Sequence, residues 1–494
     1  MFPDCSVPRR ISPYLPWVVA VTMVMEQLDS TILNTALPKM AAALHVTPLS
    51  LRGVVASYVL SLAVCIPVSG WIADRYGTRR VFATAVVLFT LASAACAAAP
   101  NLMALIAARV VQGTGGALSS AVILGMIVTM FPRPAEQAKA IGVFGFVASA
   151  GGSIGLLLGG ILTEAISWHW IFIINLPIGI LVAFLARRLV ENRDGIGLHE
   201  GADFPGAALI TVSLMIGVFT ILQITEWGWV DTKTLALSVV SASLLALFIH
   251  RQATIANPLM PLRLFRSRNV AGSNVLQALL VAGMFGMFFL GALYLQKVLH
   301  YSALEVGFAF LPTTIVMGTL SLGFSEKLIM RFGPRRTLIP GICLTVVALL
   351  LFARTPVDGD YLTDLLPPFL LIAVGMGSSF PAIMTLAMSG ATPEDSGLAS
   401  GLVNTSMQVG GAIGLAVLAT LSTERTQSLL DSGTSNAQAL TSGYHVAYLI
   451  GAGLAAVAVA VAVFVLRDAA PAGAPQAAPE HEDRGPEPAY SEAG

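Results

Sequence analysis

Apolar residues in this chain gather into long unbroken runs, separated by short stretches rich in charge, proline or glycine. Setting run against break gives spans near 15–37, 52–73, 81–99, 103–130, 138–163 and 169–188, then 204–224 and 234–252. Six more follow near 270–296, 304–325, 336–354, 366–388, 397–421 and 444–466. A helix rises about 1.5 Å per residue, so roughly 20 apolar residues cross the ~30 Å hydrocarbon layer. Backbone groups in lipid must be bonded internally, so these spans are expected to be helices. Unbroken runs also lack the alternation of a membrane β-barrel. The pattern predicts an all-α polytopic protein with fourteen transmembrane helices, or thirteen or twelve if a middle pair is re-entrant.

Composition agrees with the pattern. Apolar residues make up 56% of the chain and charged residues only 11%, against about 25% charged in soluble domains. Mean hydropathy is +0.80. Net charge is zero, so nothing points to nucleic acid. Cys5, Cys65, Cys96 and Cys343 fit no metal spacing.

Where the charges fall is more informative than their sum. Of the 27 Lys and Arg, Arg109 lies inside a span, 20 fall in one set of loops and tails, and 6 fall in the opposite set. Cytoplasmic loops carry the excess of Lys and Arg, so both termini are expected in the cytoplasm, which requires an even number of spans.

An internal repeat organises the spans. Residues 75–80 read RYGTRR and residues 331–336 read RFGPRR, each between the second and third helix of a six-helix group. Two halves in the same orientation, related by an axis along the membrane normal, are a transporter architecture. The expected layout is a cytoplasmic N-terminal tail (1–13), an N-terminal six-helix bundle (14–190), a cytoplasmic linker (191–203), inserted helices 7 and 8 (204–253), a second linker (254–269), a C-terminal six-helix bundle (270–466) and a disordered Ala/Pro-rich cytoplasmic tail (467–494).

Glu26 and Asp29 sit three residues apart in the first span, on one helix face. Carboxylates in lipid are costly and mark functional positions by default; these two are candidates for taking up and releasing a proton or holding a cation. The alternative is that one lies near the water interface and merely solvates the helix. Arg109, in the fourth span, must likewise face a polar cavity or a partner, or else holds helix ends together. Gln112 follows on its face. In G70-W-I-A-D-R-Y-G-T-R-R80, Gly70 permits close helix approach and Gly77 a tight turn. Asp74 can accept hydrogen bonds from helix N-termini or pair with an arginine. Arg75, Arg79 and Arg80 satisfy the charge rule for topology, or form a latch made in one transport state and broken in another. Gly151, Gly155 and Gly159, with Gly160 beside them, have the spacing that lets membrane helices touch backbone to backbone. Asn404 and Gln408, one turn apart in the thirteenth span, are candidates for a substrate-cavity wall. No Walker loop, metal cluster or catalytic triad is present in the sequence, so no cofactor and no enzyme activity are expected.

Together these stretches resemble the major facilitator superfamily, and within it the fourteen-span drug:proton antiporters of the EmrB/QacA type. The superfamily's loop motif is matched by Gly70, Ala73, Asp74, Arg75, Gly77, Arg79 and Arg80, and its fourth-helix motif by Arg109, Gln112, Gly113 and Gly115. The first-helix motif of the fourteen-span group is met by Leu28, Asp29, Thr31, Ile32, Asn34, Ala36, Leu37 and Pro38, and WHWIFIINLPIG (168–179) resembles another signature. The resemblance implies two bundles plus an inserted helix pair, proton coupling by Asp29 and Arg109, with Glu26 beside them, a gating role for the Asp74 loop, and export of small molecules. Asn34 and Gln112 join Asn404 and Gln408 as cavity candidates. The implied partners are a small-molecule substrate, protons and the lipid bilayer, for a monomeric protein of the cell membrane. Two departures stand out. Leu156 replaces the proline of the fifth-helix antiporter motif, so that helix should be straighter. Glu326 and Met330 stand at the places of Gly70 and Asp74 in the repeated loop, so the latch should be stronger in the first half. Proton-coupled uptake of an organic solute on the same fold, and a non-transporting receptor or scaffold, are the competing readings.

Overall fold

A computed structural model describes residues 15–46, 51–131, 134–190, 203–255, 258–260, 262–389 and 396–468. The first group contains α1 (Leu15–Ala43), α2 (Arg52–Tyr76), α3 (Thr78–Ala97), α4 (Leu102–Met130) and α5 (Pro134–Ala165), then a sixth traverse made of α6 (Trp170–Ile173) and α7 (Asn175–Leu189). The inserted pair is α8 (Phe204–Trp227) and α9 (Thr232–Thr254). The second group begins with α10 (Arg268–Lys297) and α11 (Ala303–Thr319), which widens into a π turn (Leu320–Phe324) before α12 (Ser325–Phe332). It closes with α13 (Pro334–Phe352), α14 (Leu366–Met388), α15 (Ser396–Asp431) and α16 (Asn436–Phe464).

Among the described residues, 12 helical segments are long and apolar enough to cross a membrane. Helices α1 and α5 fall outside that set, yet at 29 and 32 residues they are long enough to traverse about 30 Å of hydrocarbon. Glu26 and Asp29 lower the apolar character of α1. Helix order follows the apolar runs, but α15 continues ten residues past the predicted end at 421, where polar sequence prolongs the helix to Asp431. Helix α5 is unbroken through position 156, as expected without a proline.

The two loops of the repeat have one shape. Gly77 at φ 88° and Gly333 at φ 82° each end one helix and start the next, a backbone region that glycine occupies without a Cβ clash. Arg79 then donates to the carbonyl of Arg187 at the end of α7. Arg335, its counterpart, donates to the carbonyls of Ala462 at 3.1 Å and Val463 at 2.6 Å at the end of α16. Each arginine satisfies orphan carbonyls at a helix C-terminus, where a cation is also favoured by the helix dipole. These bonds tie helices within one half.

Close packing repeats as well. A Cβ at Gly151 would lie 2.5 Å from Gln27 Cβ, and one at Gly155 would collide with Thr31. In the second half a Cβ at Gly410 would lie 2.6 Å from Ala278, and one at Gly414 would collide with Ala282. So α5 lies on α1 as α15 lies on α10. Gly159 is buried, but a Cβ at Gly160 would touch nothing within 4 Å. The packing role expected of Gly160 is therefore corrected: its position on the helix turns it away from α1.

The halves meet near the end of the bundle that carries the arginine loops. A Cβ at Gly401 of α15 would lie 3.3 Å from the Ile66 carbonyl and 4.0 Å from Gly70 on α2. Gly142 of α5 backs onto the Ser321 carbonyl in the π turn, and Phe144 stacks on Phe380 with centroids 6.2 Å apart. The inserted hairpin packs beside this seam, α8 lying against both α2 and α15. Its root is Asp203, which accepts from Gly206 N at 2.9 Å, Arg251 Nε at 2.7 Å and Gln252 Nε2 at 2.7 Å. Burial alone would raise the carboxyl of Asp203, but these bonds outweigh it and hold its pKa below the usual value.

Candidate functional site

The interior of the first half holds a buried polar network centred on Asp29. Helix α4 brings Arg109 Nη1 to Asp29 Oδ2 at 2.5 Å, with 1% and 0% of the two side chains exposed. Gln112, one turn on, donates to Asp29 Oδ1 at 2.8 Å and to Ser93 of α3 at 2.7 Å, and accepts from Arg109 at 2.7 Å. Asn175, the first residue of α7, donates to the same Asp29 oxygen at 3.0 Å. The Arg109 guanidinium lies 4.1 Å from the ring centre of Tyr58 on α2, a cation–π contact strengthened by the lack of water. Five helices thus converge on one ion pair. A buried pair of this kind is stable only when its remaining hydrogen-bonding capacity is met.

Glu26 belongs to a different arrangement. Its carboxylate accepts from Ser119 and, at 2.7 Å, from Ser120, both on α4. No cation pairs with it among the described residues. Asn404 of α15 reaches across the seam to the Ser120 carbonyl at 3.3 Å. Glu26 therefore sits one residue from a contact between the halves, while Asp29 lies wholly inside one half.

The sequence brought Asp29, Glu26, Arg109 and Gln112 forward, and the structure gathers all four. Asn404 is buried on the seam, and Gln408 is half-buried one turn beyond. The side chain of Asn34 lies outside the described residues, as does that of Leu156. Gly70 and Gly77 are buried at the arginine loop, Asp74 is half-buried there, and Arg75 lies 5.9 Å from the Trp71 ring. Asn175, Ser93, Ser119, Ser120 and Tyr58 went unnoticed in the sequence. Asn175 alone had a signal, since it stands within the WHWIFIINLPIG stretch.

The sequence profile of the Major Facilitator Superfamily matches residues 19–415. The chain belongs to the major facilitator superfamily. As a member of this superfamily it is a polytopic membrane protein of the transporter class. It is 34% identical over 443 residues to a puromycin resistance protein of Streptomyces alboniger, covering 88% of each chain. It is 34% identical over 440 residues to a cephamycin export protein of Amycolatopsis lactamdurans, covering 89% of each. A tetracenomycin C resistance and export protein of Streptomyces glaucescens is 32% identical over 415 residues, or 83% of this chain and 76% of that one. Among solved structures, a human organic anion transporter aligns with TM-score 0.61 at 16% identity, covering 89% of this chain and 98% of that one. A proton:xylose symporter aligns with TM-score 0.60 at 14% identity, covering 88% and 93%. Both share the superfamily fold.

Proposed function

We propose that this chain is a proton-coupled exporter of amphipathic small molecules, of the fourteen-span drug:proton antiporter type, in the cell membrane with both termini in the cytoplasm. Relatives named for resistance to puromycin and export of cephamycin and tetracenomycin C support the cargo class and direction. The charge asymmetry of the loops supports the orientation, and the length of α1 and α5, beside the 12 apolar segments, supports a count of fourteen crossings.

The observation that carries the reading is the separation of the two carboxylates. Asp29 is fully engaged by Arg109, Gln112 and Asn175, so it fixes the shape of the first half and the field within it. Among the described residues Glu26 is held by serine hydroxyls alone, beside the seam, where protonation changes the charge without breaking an ion pair. Alternating access then exposes Glu26 to each side in turn, and proton uptake from outside accompanies release of cargo.

The test is export by inverted vesicles bearing the full chain, with an imposed inside-acid proton gradient and puromycin as probe. Wild type should concentrate the probe inside the vesicles, which corresponds to export. Asp29→Asn and Glu26→Gln should each abolish gradient-driven accumulation while still inserting in the membrane. Accumulation by both variants equal to wild type would overturn the coupling assignment, and gradient-driven loss of probe from wild-type vesicles would indicate uptake instead.

A further inference from the structure

The glycine contacts put the two halves in register residue by residue. Gly151 and Gly155 rest on Gln27 and Thr31, and Gly410 and Gly414 rest on Ala278 and Ala282. Glu26 and Asp29 of α1 therefore correspond to Gln277 and Leu280 of α10. On the neighbouring helices, a Cβ at Gly115 would lie 3.1 Å from Ala85 O and 2.9 Å from Phe89 N, as one at Gly375 would lie 2.5 Å from Gly341 O and 3.2 Å from Thr345 N. Arg109, Gln112, Ser119 and Ser120 of α4 thus correspond to Phe369, Ile372, Ser379 and Phe380 of α14. The second half has replaced the ion pair with an aromatic cluster, Phe369 lying 5.0 Å from Phe310 and 4.9 Å from Phe352.

Gln277, at the place of Glu26, keeps a polar side chain. It is 1% exposed, and neither its amide oxygen nor its nitrogen has a hydrogen-bond partner among the described residues. Ser273, one turn earlier on the same face, is fully buried with an equally unpartnered hydroxyl. The register explains why. Of the two serines that hold Glu26, one counterpart, Ser379, bonds instead to the Leu338 carbonyl at 3.2 Å, and the other is Phe380. Phe380 stacks on Phe144 across the seam, so parting the halves at the arginine end frees the ring that stands where Ser120 holds Glu26. A buried polar group without a partner costs about 1–3 kcal/mol, and such a group in a native fold calls for a reason.

We propose that Gln277, with Ser273, is the polar contact the second half offers to the transported molecule, receiving an uncharged carbonyl, amide or hydroxyl group when the arginine end opens. This inference rests on the transport reading. It divides the work between the halves: Glu26 carries charge chemistry in the first, and Gln277 supplies neutral hydrogen bonds in the second.

The experiment compares wild type, Gln277→Leu and Ser273→Ala, each as the full chain. Two probes are followed: puromycin, which has amide and hydroxyl groups, and tetraphenylphosphonium, which has none. Gln277→Leu should raise the apparent KM for puromycin roughly three- to tenfold, the worth of one or two hydrogen bonds, and leave that for tetraphenylphosphonium unchanged. Ser273→Ala should do the same more weakly. The melting temperature of Gln277→Leu should hold or rise, because leucine removes an unmet amide at similar volume. A fall in melting temperature, or equal effects on both probes, would show a structural amide and overturn the proposal. Wild-type kinetics in Gln277→Leu for both probes would overturn it alone, whereas a wild type that moves neither probe fails the transport reading and takes this inference with it.

Discussion

Asp29 and Arg109 face each other at 2.5 Å with almost no solvent access to either side chain. Removing one member leaves the other as an uncompensated buried charge, which costs about 3–5 kcal/mol. Arg109→Ala should therefore lower the melting temperature of the purified protein far more than a surface substitution does. The double variant Asp29→Asn with Arg109→Gln removes both charges and keeps groups able to bond Gln112 and Asn175. It should melt above the Arg109→Ala single variant. If the loss of this double variant equals the sum of the losses of Asp29→Asn and Arg109→Gln measured singly, the two residues do not act as a pair.

Glu26 should behave differently. Its partners among the described residues are two hydroxyls, one on each carboxylate oxygen; with glutamine, Ser120 can donate to the amide oxygen while Ser119 turns its proton to the Gly115 carbonyl and accepts from the amide nitrogen. Glu26→Gln is expected to change stability by less than about 1 kcal/mol while flattening the dependence of export rate on pH. A variant that retains the wild-type pH profile would remove Glu26 from the coupling step.

How far these residues were legible in the sequence depends on how unusual each is in its surroundings. A charge in an apolar run is conspicuous, so Asp29, Glu26 and Arg109 could be picked out. The serines around Glu26 and Ser93 could not, because serine is common in membrane helices and its partner depends on which helix arrives beside it. The same limit hid the role of Arg79 and Arg335, whose acceptors are carbonyls at the ends of α7 and α16, more than 100 residues away in each case. The RYGTRR and RFGPRR repeat revealed the two halves because a glycine at positive φ and a capping arginine constrain sequence directly. Pairing Gln277 with Glu26 needed the helix contacts, since nearby the two helices coincide only at apolar positions such as Val24 with Val275 and Leu28 with Leu279.

The glycine contacts of α5 yield a contrast within one helix. Gly155→Ala places a methyl group against Thr31, and overpacking of this kind costs about 1–3 kcal/mol. Gly160→Ala meets open space and should stay within about 0.5 kcal/mol of wild type. Thermal unfolding of the two variants, measured side by side, checks this; equal losses would mean that α5 does not rest on α1 through Gly155.

Asp203 at the root of the inserted hairpin gives a pH test with a defined sign. Its folded pKa is held below the usual value by Arg251, Gln252 and the Gly206 amide, against the opposing effect of burial. A lowered carboxyl pKa contributes stability that is fully present above the unfolded value, about 3.9, and is lost as pH falls through the folded value. Arg251 is 34% exposed, so solvent screening discounts the pair, and Asp203→Asn should cost about 1–2 kcal/mol. The difference in melting temperature between wild type and Asp203→Asn should therefore be constant from pH 8 to 5 and shrink below pH about 4. A difference that already shrinks between pH 7 and 5 would place the carboxyl pKa above its usual value, and the bonds from Arg251 and Gln252 would then not dominate over burial.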